Sequence, residues 1–266
     1  MQFEAISIEG LSHRFLSRTR PPTTALTDVT CRFPAGKVTS IVGPSGCGKS
    51  TLLLIMRGLV KASQGDVKFL YGNGAGALTP GEAPRMATVW QSFNLLPWRS
   101  VVDNVGFGME LQGVPTAERR EKAMEAIKAV ELSGFENHYP GQLSGGMKQR
   151  VGLARGMVMS PDILFLDEPF GALDAQTRLY LQEQLSALVE KSAKTVILIT
   201  HSIEEAIFLG DHVVVMTARP GKIAASLDVD LPRPRGIDVQ NDKRFGELFS
   251  EIYGLLRDEV RKSMMN

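Results

Sequence analysis

Two cysteines in 266 residues, Cys31 and Cys47, cannot build a disulfide framework, and neither belongs to a Cys/His cluster with metal-ligand spacing. A reducing, cytoplasmic compartment is therefore expected. Long apolar runs are missing too. The longest, Leu52 to Met56, has five residues, against the ~20 needed to cross a bilayer. The opening MQFEAISIEG has no basic stretch followed by an apolar one, so no signal peptide is read there. Net charge is almost absent: 30 Lys+Arg against 29 Asp+Glu leave a formal +1. That removes the bulk field that draws a chain to nucleic acid or anionic lipid. What remains, 43% apolar and 22% charged residues, is the composition of an ordinary globular chain. Its length suits one large α/β domain, or a compact domain with a subdomain and a tail.

The pattern along the chain is that of alternating strands and helices. Residues 5–9 alternate Ile6 and Ile8 with polar neighbours, a turn-rich SRTRPPTT follows at 17–24, and GKVTSIVG (36–43) reads as a strand ending at a glycine. From Lys49 to Gly58 the spacing turns helical. Residues 72–84, rich in Gly and Pro, read as a hairpin or surface loop. The segment 92–160 is mainly helical, with Met124, Ile127 and Val130 marking one face of a helix over 116–132. Three short apolar runs, 163–166, 196–199 and 213–216, suit buried strands of a parallel sheet, with helices over 176–191 and 203–209 between them. After LPRPRG (231–236), an amphipathic helix carries Phe245, Leu248, Phe249, Ile252, Leu255 and Leu256 on one face.

Gly43-Pro44-Ser45-Gly46-Cys47-Gly48-Lys49-Ser50 satisfies G-x-x-x-x-G-K-[ST] between an expected strand and an expected helix. Glycines let backbone N–H groups turn inward around phosphate oxygens, and the helix N-terminus adds positive potential. Lys49 would then reach the β- and γ-phosphates and the Ser50 hydroxyl would ligate Mg²⁺. Cys47, inside the loop, reads as a small filler. Asp167 and Glu168 close the apolar strand at 163–166, where Asp167 suits a Mg²⁺ contact and Glu168 can polarise a water. His201 follows the strand at 196–199. In a parallel sheet that end is where ligands gather, which makes it a γ-phosphate contact.

The order 43–50, Gln91, LSGGMKQR (143–150), 163–168, Ala172-Leu173-Asp174 and His201 strongly resembles an ABC transporter ATP-binding subunit, over roughly residues 5–225. The segments 89–105, 167–178, 200–209 and 216–223 look most like importers of the nitrate, sulfonate and taurine group. The resemblance implies a P-loop NTPase core with a mainly parallel sheet, an N-terminal antiparallel β-subdomain and a helical subdomain at about 92–160. Residues 1–230 would be the ATP-binding domain and 231–266 a linker and helix. It implies ATP and Mg²⁺ bound through residues 43–50 and Thr51. Phe15 would stack on adenine, with a core phenylalanine as the competing reading. Gln91 would contact Mg²⁺ and the attacking water, and Phe93 to Trp98 would meet the membrane partner. Ser144, Gly145 and Gly146 would bind the γ-phosphate held by a second copy, and Asp174 would couple the two sites. Met147 stands where many relatives have Gln.

What the resemblance implies is an ATPase, with Glu168, His201 and Gln91 catalytic, that powers uptake of a small anionic solute through a separate permease. It would sit on the cytoplasmic face of the membrane and be fed indirectly by a solute-binding protein. An ABC system for export or lipid trafficking is the alternative. A cytosolic ABC ATPase acting on nucleic acid would need two halves or a coiled-coil insertion, and a small-molecule kinase has no use for LSGG.

Overall fold

The computed structural model of the chain describes residues 3–16, 19, 21–72, 84–171, 173–192 and 194–265. Residues 73–83 of the loop expected at 72–84, part of the turn-rich segment at 17–24, and Ala172 lie outside them. The chain divides into two compact units, residues 1–84 with 186–266, and residues 85–185.

In the first unit, β1 (Phe3–Phe15) lies between β2 (Thr23–Pro34) and β4 (Gln64–Tyr71) in a three-stranded antiparallel sheet. This is the antiparallel β-subdomain expected near the N-terminus. Ala5, Ile6, Ile8 and Leu11 are fully buried, so β1 carries the centre of that layer. The other strands of this unit are β3 (Val38–Val42), β7 (Thr195–Thr200), β8 (His212–Met216) and β9 (Ile223–Asp228). β3 pairs in parallel with both β7 and β8, and β9 adds antiparallel to β8. β3 and β7 are buried at every position, which explains the unbroken apolar run at 196–199 in β7 in place of alternation. α1 (Lys49–Met56), α6 (Ile203–Leu209) and α7 (Lys243–Met265) complete the unit.

The second unit holds the parallel pair β5 (Met86–Val89) and β6 (Ile163–Asp167), with α2 (Val101–Leu111), α3 (Thr116–Ala129) and α4 (Gly145–Met157). The domain boundary falls inside α5 (Ala175–Ser192). α3 stops earlier than its periodicity suggests, because Glu131 turns to φ 55. Its buried face is Ala123, Ile127 and Val130, while Met124 stays exposed. Ser100 and Ser144 cap α2 and α4 by accepting the N–H groups of Asp103 and Met147, and in the first unit Ser202 caps α6 through Glu205.

Phe245, Leu248 and Ile252 of α7 are buried, with Phe249, Leu255 and Leu256 half-buried beside them. At about 1.5–3 kcal/mol for each fully buried side chain, this face is enough to hold the helix on its own domain. Among the described residues no helix is long and apolar enough to cross a membrane.

Candidate nucleotide site

The loop from Gly43 to Gly48 joins the C-terminal end of β3 to α1. Gly48 takes φ 101, a left-handed value that α1 uses in place of a capping side chain, and no acidic residue lies in the first turn. α2, α4 and α6 are capped by serine hydroxyls, whereas α1 has no side-chain cap and keeps the positive end of its dipole at the loop. Lys49 is only 5% exposed. Its Nζ donates to the carbonyl oxygens of Gly43 at 2.8 Å and Pro44 at 3.1 Å, and among the described residues no carboxylate pairs with it. With the Cys47 sulfur at 3.9 Å as its other neighbour, a buried ammonium held by neutral groups suits an anion. Cys47 is fully buried, and burial pushes its thiol up against the opposing pull of Lys49. It fills space as expected.

Residues 216–222 brace this loop from outside, a contribution the sequence did not reveal. A Cβ on Gly221 would lie 2.0 Å from the Cys47 carbonyl oxygen, so only glycine allows the approach. Gly221 also exchanges backbone hydrogen bonds with β2, donating to Ala25 O and accepting from Thr27 N. Arg219 Nε reaches Gly46 O at 3.3 Å. The same β2 segment touches the loop directly, since Leu26 Cδ2 lies 2.7 Å from where a Cβ on Gly48 would stand.

His201 is brought to the loop by register. Val42 of β3 pairs with Thr200 of β7, so Gly43 and His201 leave neighbouring strands at the same edge. Thr200 Oγ1 donates to Glu205 Oε2 at 2.6 Å and accepts from Ser202 N at 3.0 Å. These bonds tie both residues flanking His201 to the buried carboxylate of α6. Phe15, at the end of β1, is 46% exposed and is therefore not a core ring.

In the second unit Gln91 and Glu168 come together: Gln91 Nε2 donates to Glu168 Oε2 at 3.1 Å. Glu168 sits at φ 46, a strained backbone for a residue with a Cβ. Asp167 is the buried last residue of β6. Asp167 offers a hard oxygen donor of the kind Mg²⁺ takes, as Ser50 does in the first unit. No three His, Cys, Asp or Glu side chains gather into a cage among the described residues.

Ser144 is the cap of α4. Gly146 behind it packs tightly on α5, where its Cβ would meet Thr177 Cγ2 at 2.9 Å. Asp174 caps α5 by accepting from Thr177 N at 3.0 Å, and that N–H, then the Thr177 side chain, holds its carboxyl below its usual value. Arg150 of α4 stacks over the Tyr180 ring of α5, and Tyr180 in turn donates to Glu131. The turn at Ser144 to Gly146 (the signature turn) and the Asp174 turn are thus joined side by side. Gly145 differs: a Cβ there would meet no described atom within 4 Å.

After Gln91 the chain is pinned from beneath. Arg155 donates to Phe93 O and Asn94 O at 2.8 and 2.7 Å. The fully buried Asn104 accepts from Leu96 N and donates to the carbonyls of Leu96, Arg99 and Ser100. Trp98 is left 72% exposed on this fixed loop.

Compared with known proteins, residues 26–171 match the family model for ABC transporters, over half of the chain. The chain belongs to the ABC transporter family. It is similar to the taurine import ATP-binding protein of Rhizobium johnstonii, 41% identical over 256 residues, covering 94% of this chain and 96% of the relative. The taurine import ATP-binding protein of Escherichia coli is 42% identical over 209 residues, 79% of this chain and 80% of its own length. An ABC transporter ATP-binding protein of Methanocaldococcus jannaschii is 45% identical over 240 residues, covering 90% and 87%. Among solved structures, the dimeric bacterial ABC transporter cassette MJ0796 matches with TM-score 0.73 and 31% identity, covering 85% of this chain and all of that one. A second form of the same cassette is a post-hydrolysis state bound to ADP and phosphate. The fold class expected from the sequence, an α/β P-loop NTPase core, is the one this family shares.

Proposed function

We propose that this protein is the ATP-hydrolysing subunit of an ABC importer for taurine or a related small sulfonate. The observation that carries the ATP reading is Lys49, a buried cation without a carboxylate partner, set in a glycine loop before an uncapped helix. The solute class rests on the likeness to taurine import ATP-binding proteins over most of the chain.

ATP binds with its phosphates along residues 43–51, Lys49 facing the β- and γ-phosphates and the α1 amides completing the cradle. Ser50, Gln91 and Asp167 would hold Mg²⁺, which when bound supplies neutralisation of phosphate charge. Glu168 orients and deprotonates the attacking water, with Gln91 fixing its carboxylate and His201 contacting the γ-phosphate. Ser144, Gly145 and Gly146 serve the ATP of a second copy. The open space around Gly145 supports this, since none of the described residues of its own chain requires a glycine there, and the dimeric form of the similar cassette supports it further. The pinned loop at 93–98 offers Trp98 to a membrane permease, and a solute-binding protein delivers the solute to that permease. The subunit works on the cytoplasmic face of the membrane.

The test is to co-purify the chain with its permease, reconstitute both in liposomes, and follow ATP hydrolysis and taurine uptake together. Taurine-stimulated hydrolysis that vanishes with Lys49→Ala is the expected result. Hydrolysis unaffected by Lys49→Ala overturns the site. Hydrolysis without uptake of any sulfonate overturns the solute class.

A further inference from the structure

His13 is a buried polar side chain of the first unit that the proposed chemistry leaves unused. It lies near the end of β1, 8% exposed, and neither Nδ1 nor Nε2 has a hydrogen-bond partner among the described residues. Buried polar groups without partners are rare and costly, and a leucine would fill the same space at no such cost. Burial alone therefore does not account for an imidazole. What the ring has in place of a hydrogen bond is Phe15. The two rings meet edge to face, centroids 4.6 Å apart and planes at 83°. That geometry sets the electropositive edge of one ring against the electron-rich face of the other.

The location ties this pair to the phosphate loop. His13 pairs across the sheet with Leu26, and Leu26 is the residue pressed against Gly48. Phe15, two residues on, is the half-exposed aromatic. An exposed phenylalanine at a strand end is otherwise free to change rotamer, and a stacking platform has to be held in one orientation to contribute fully.

We propose that His13 is a positioning residue for the nucleotide base, fixing the tilt of the Phe15 ring so that one face stays presented to adenine. This rests on the reading of residues 43–51 as the phosphate loop and of Phe15 as the base-stacking ring. His13 acts through Phe15 and contributes nothing to phosphate binding.

Full-length chain carrying His13→Leu, His13→Phe, Phe15→Ala or His13→Leu with Phe15→Ala is titrated calorimetrically with ATP and with inorganic tripolyphosphate, which has phosphates but no base. Loss of one edge-to-face contact predicts that His13→Leu weakens ATP about three- to ten-fold and leaves tripolyphosphate unchanged. His13→Phe, which keeps an aromatic edge, retains most of the ATP affinity, and His13→Leu adds nothing once Phe15 is alanine. Equal weakening of both ligands, no weakening of ATP, or an undiminished effect in the Phe15→Ala background overturns the proposal. Should His13→Leu fail to fold, His13→Asn is read by the same comparison. Wild-type protein that binds neither ligand would instead overturn the phosphate loop itself, and Phe15→Ala with unchanged ATP affinity would remove the platform.

Discussion

A methyl group on Gly221 would land 2.0 Å from the Cys47 carbonyl oxygen, so the 216–222 turn and the phosphate loop could not keep their approach. Gly221→Ala is expected to lower ATP affinity by at least about ten-fold, as the cradle amides lose their alignment, checked by nucleotide titration beside a melting curve. Glu168 gives a second prediction at this scale. Glu168→Gln keeps the side chain's size and a hydrogen bond to Gln91 but removes the base. ATP should still bind while turnover falls by about 10²–10⁴-fold, and normal steady-state hydrolysis would take Glu168 out of that role. Residues such as Lys49, Ser50, Asp167 and Glu168 could be read from the sequence because each belongs to a short motif at fixed spacing. Gly221, Glu205 and Asn104 could not. Their reasons are backbone atoms or loops reached only after folding, and no local period records them.

At the scale of elements, the linker after β9 is fastened by two arginines. Arg235 is 4% exposed and donates to the carbonyl oxygens of Ile207, Phe208 and Gly210 at the end of α6, and to those of Val229 and Leu231. Burial pushes its pKa down to about 10, which still leaves it charged at neutral pH. Arg233 adds bonds to Asp211, Glu190 and Leu209 O. Arg235→Ala strands several helix-end carbonyls and is expected to cost about 3 kcal/mol of stability, read as a drop in melting temperature. The strands and capped helices themselves were legible. Fully buried β6 and β7 show as continuous apolar runs, and Ser100, Ser144 and Ser202 stand where their helices start. The end of α3 was less so, because Glu131 turns left-handed with no glycine to announce it. The arginine fastening was invisible, since Pro/Arg-rich sequence reads as solvated linker until its acceptors are in view.

At the scale of the whole molecule, the two units divide the proposed chemistry. The phosphate loop and His201 belong to one, and Gln91, Asp167, Glu168 and the signature turn to the other. The α4–α5 joint, made by Gly146 on Thr177 and Arg150 on Tyr180, packs the signature turn against the helix that Asp174 caps. In a dimer with one tagged copy, Ser144→Ala in that copy should impair hydrolysis of the ATP held by the untagged copy. This is measured by pairing the mutation in turn with Lys49→Ala in the same or the opposite chain. Damage confined to the mutated copy's own ATP would contradict the shared site. The family could be read from motif order alone, but nothing in it told that the exposed Trp98 would stand on so firmly pinned a loop.

The bare surroundings of Gly145 carry a practical consequence. Gly145→Ala should pass every assay of the isolated polypeptide, from expression and melting to monomer solubility, and still silence the working transporter. A survey that scores variants by folding alone would file it as harmless.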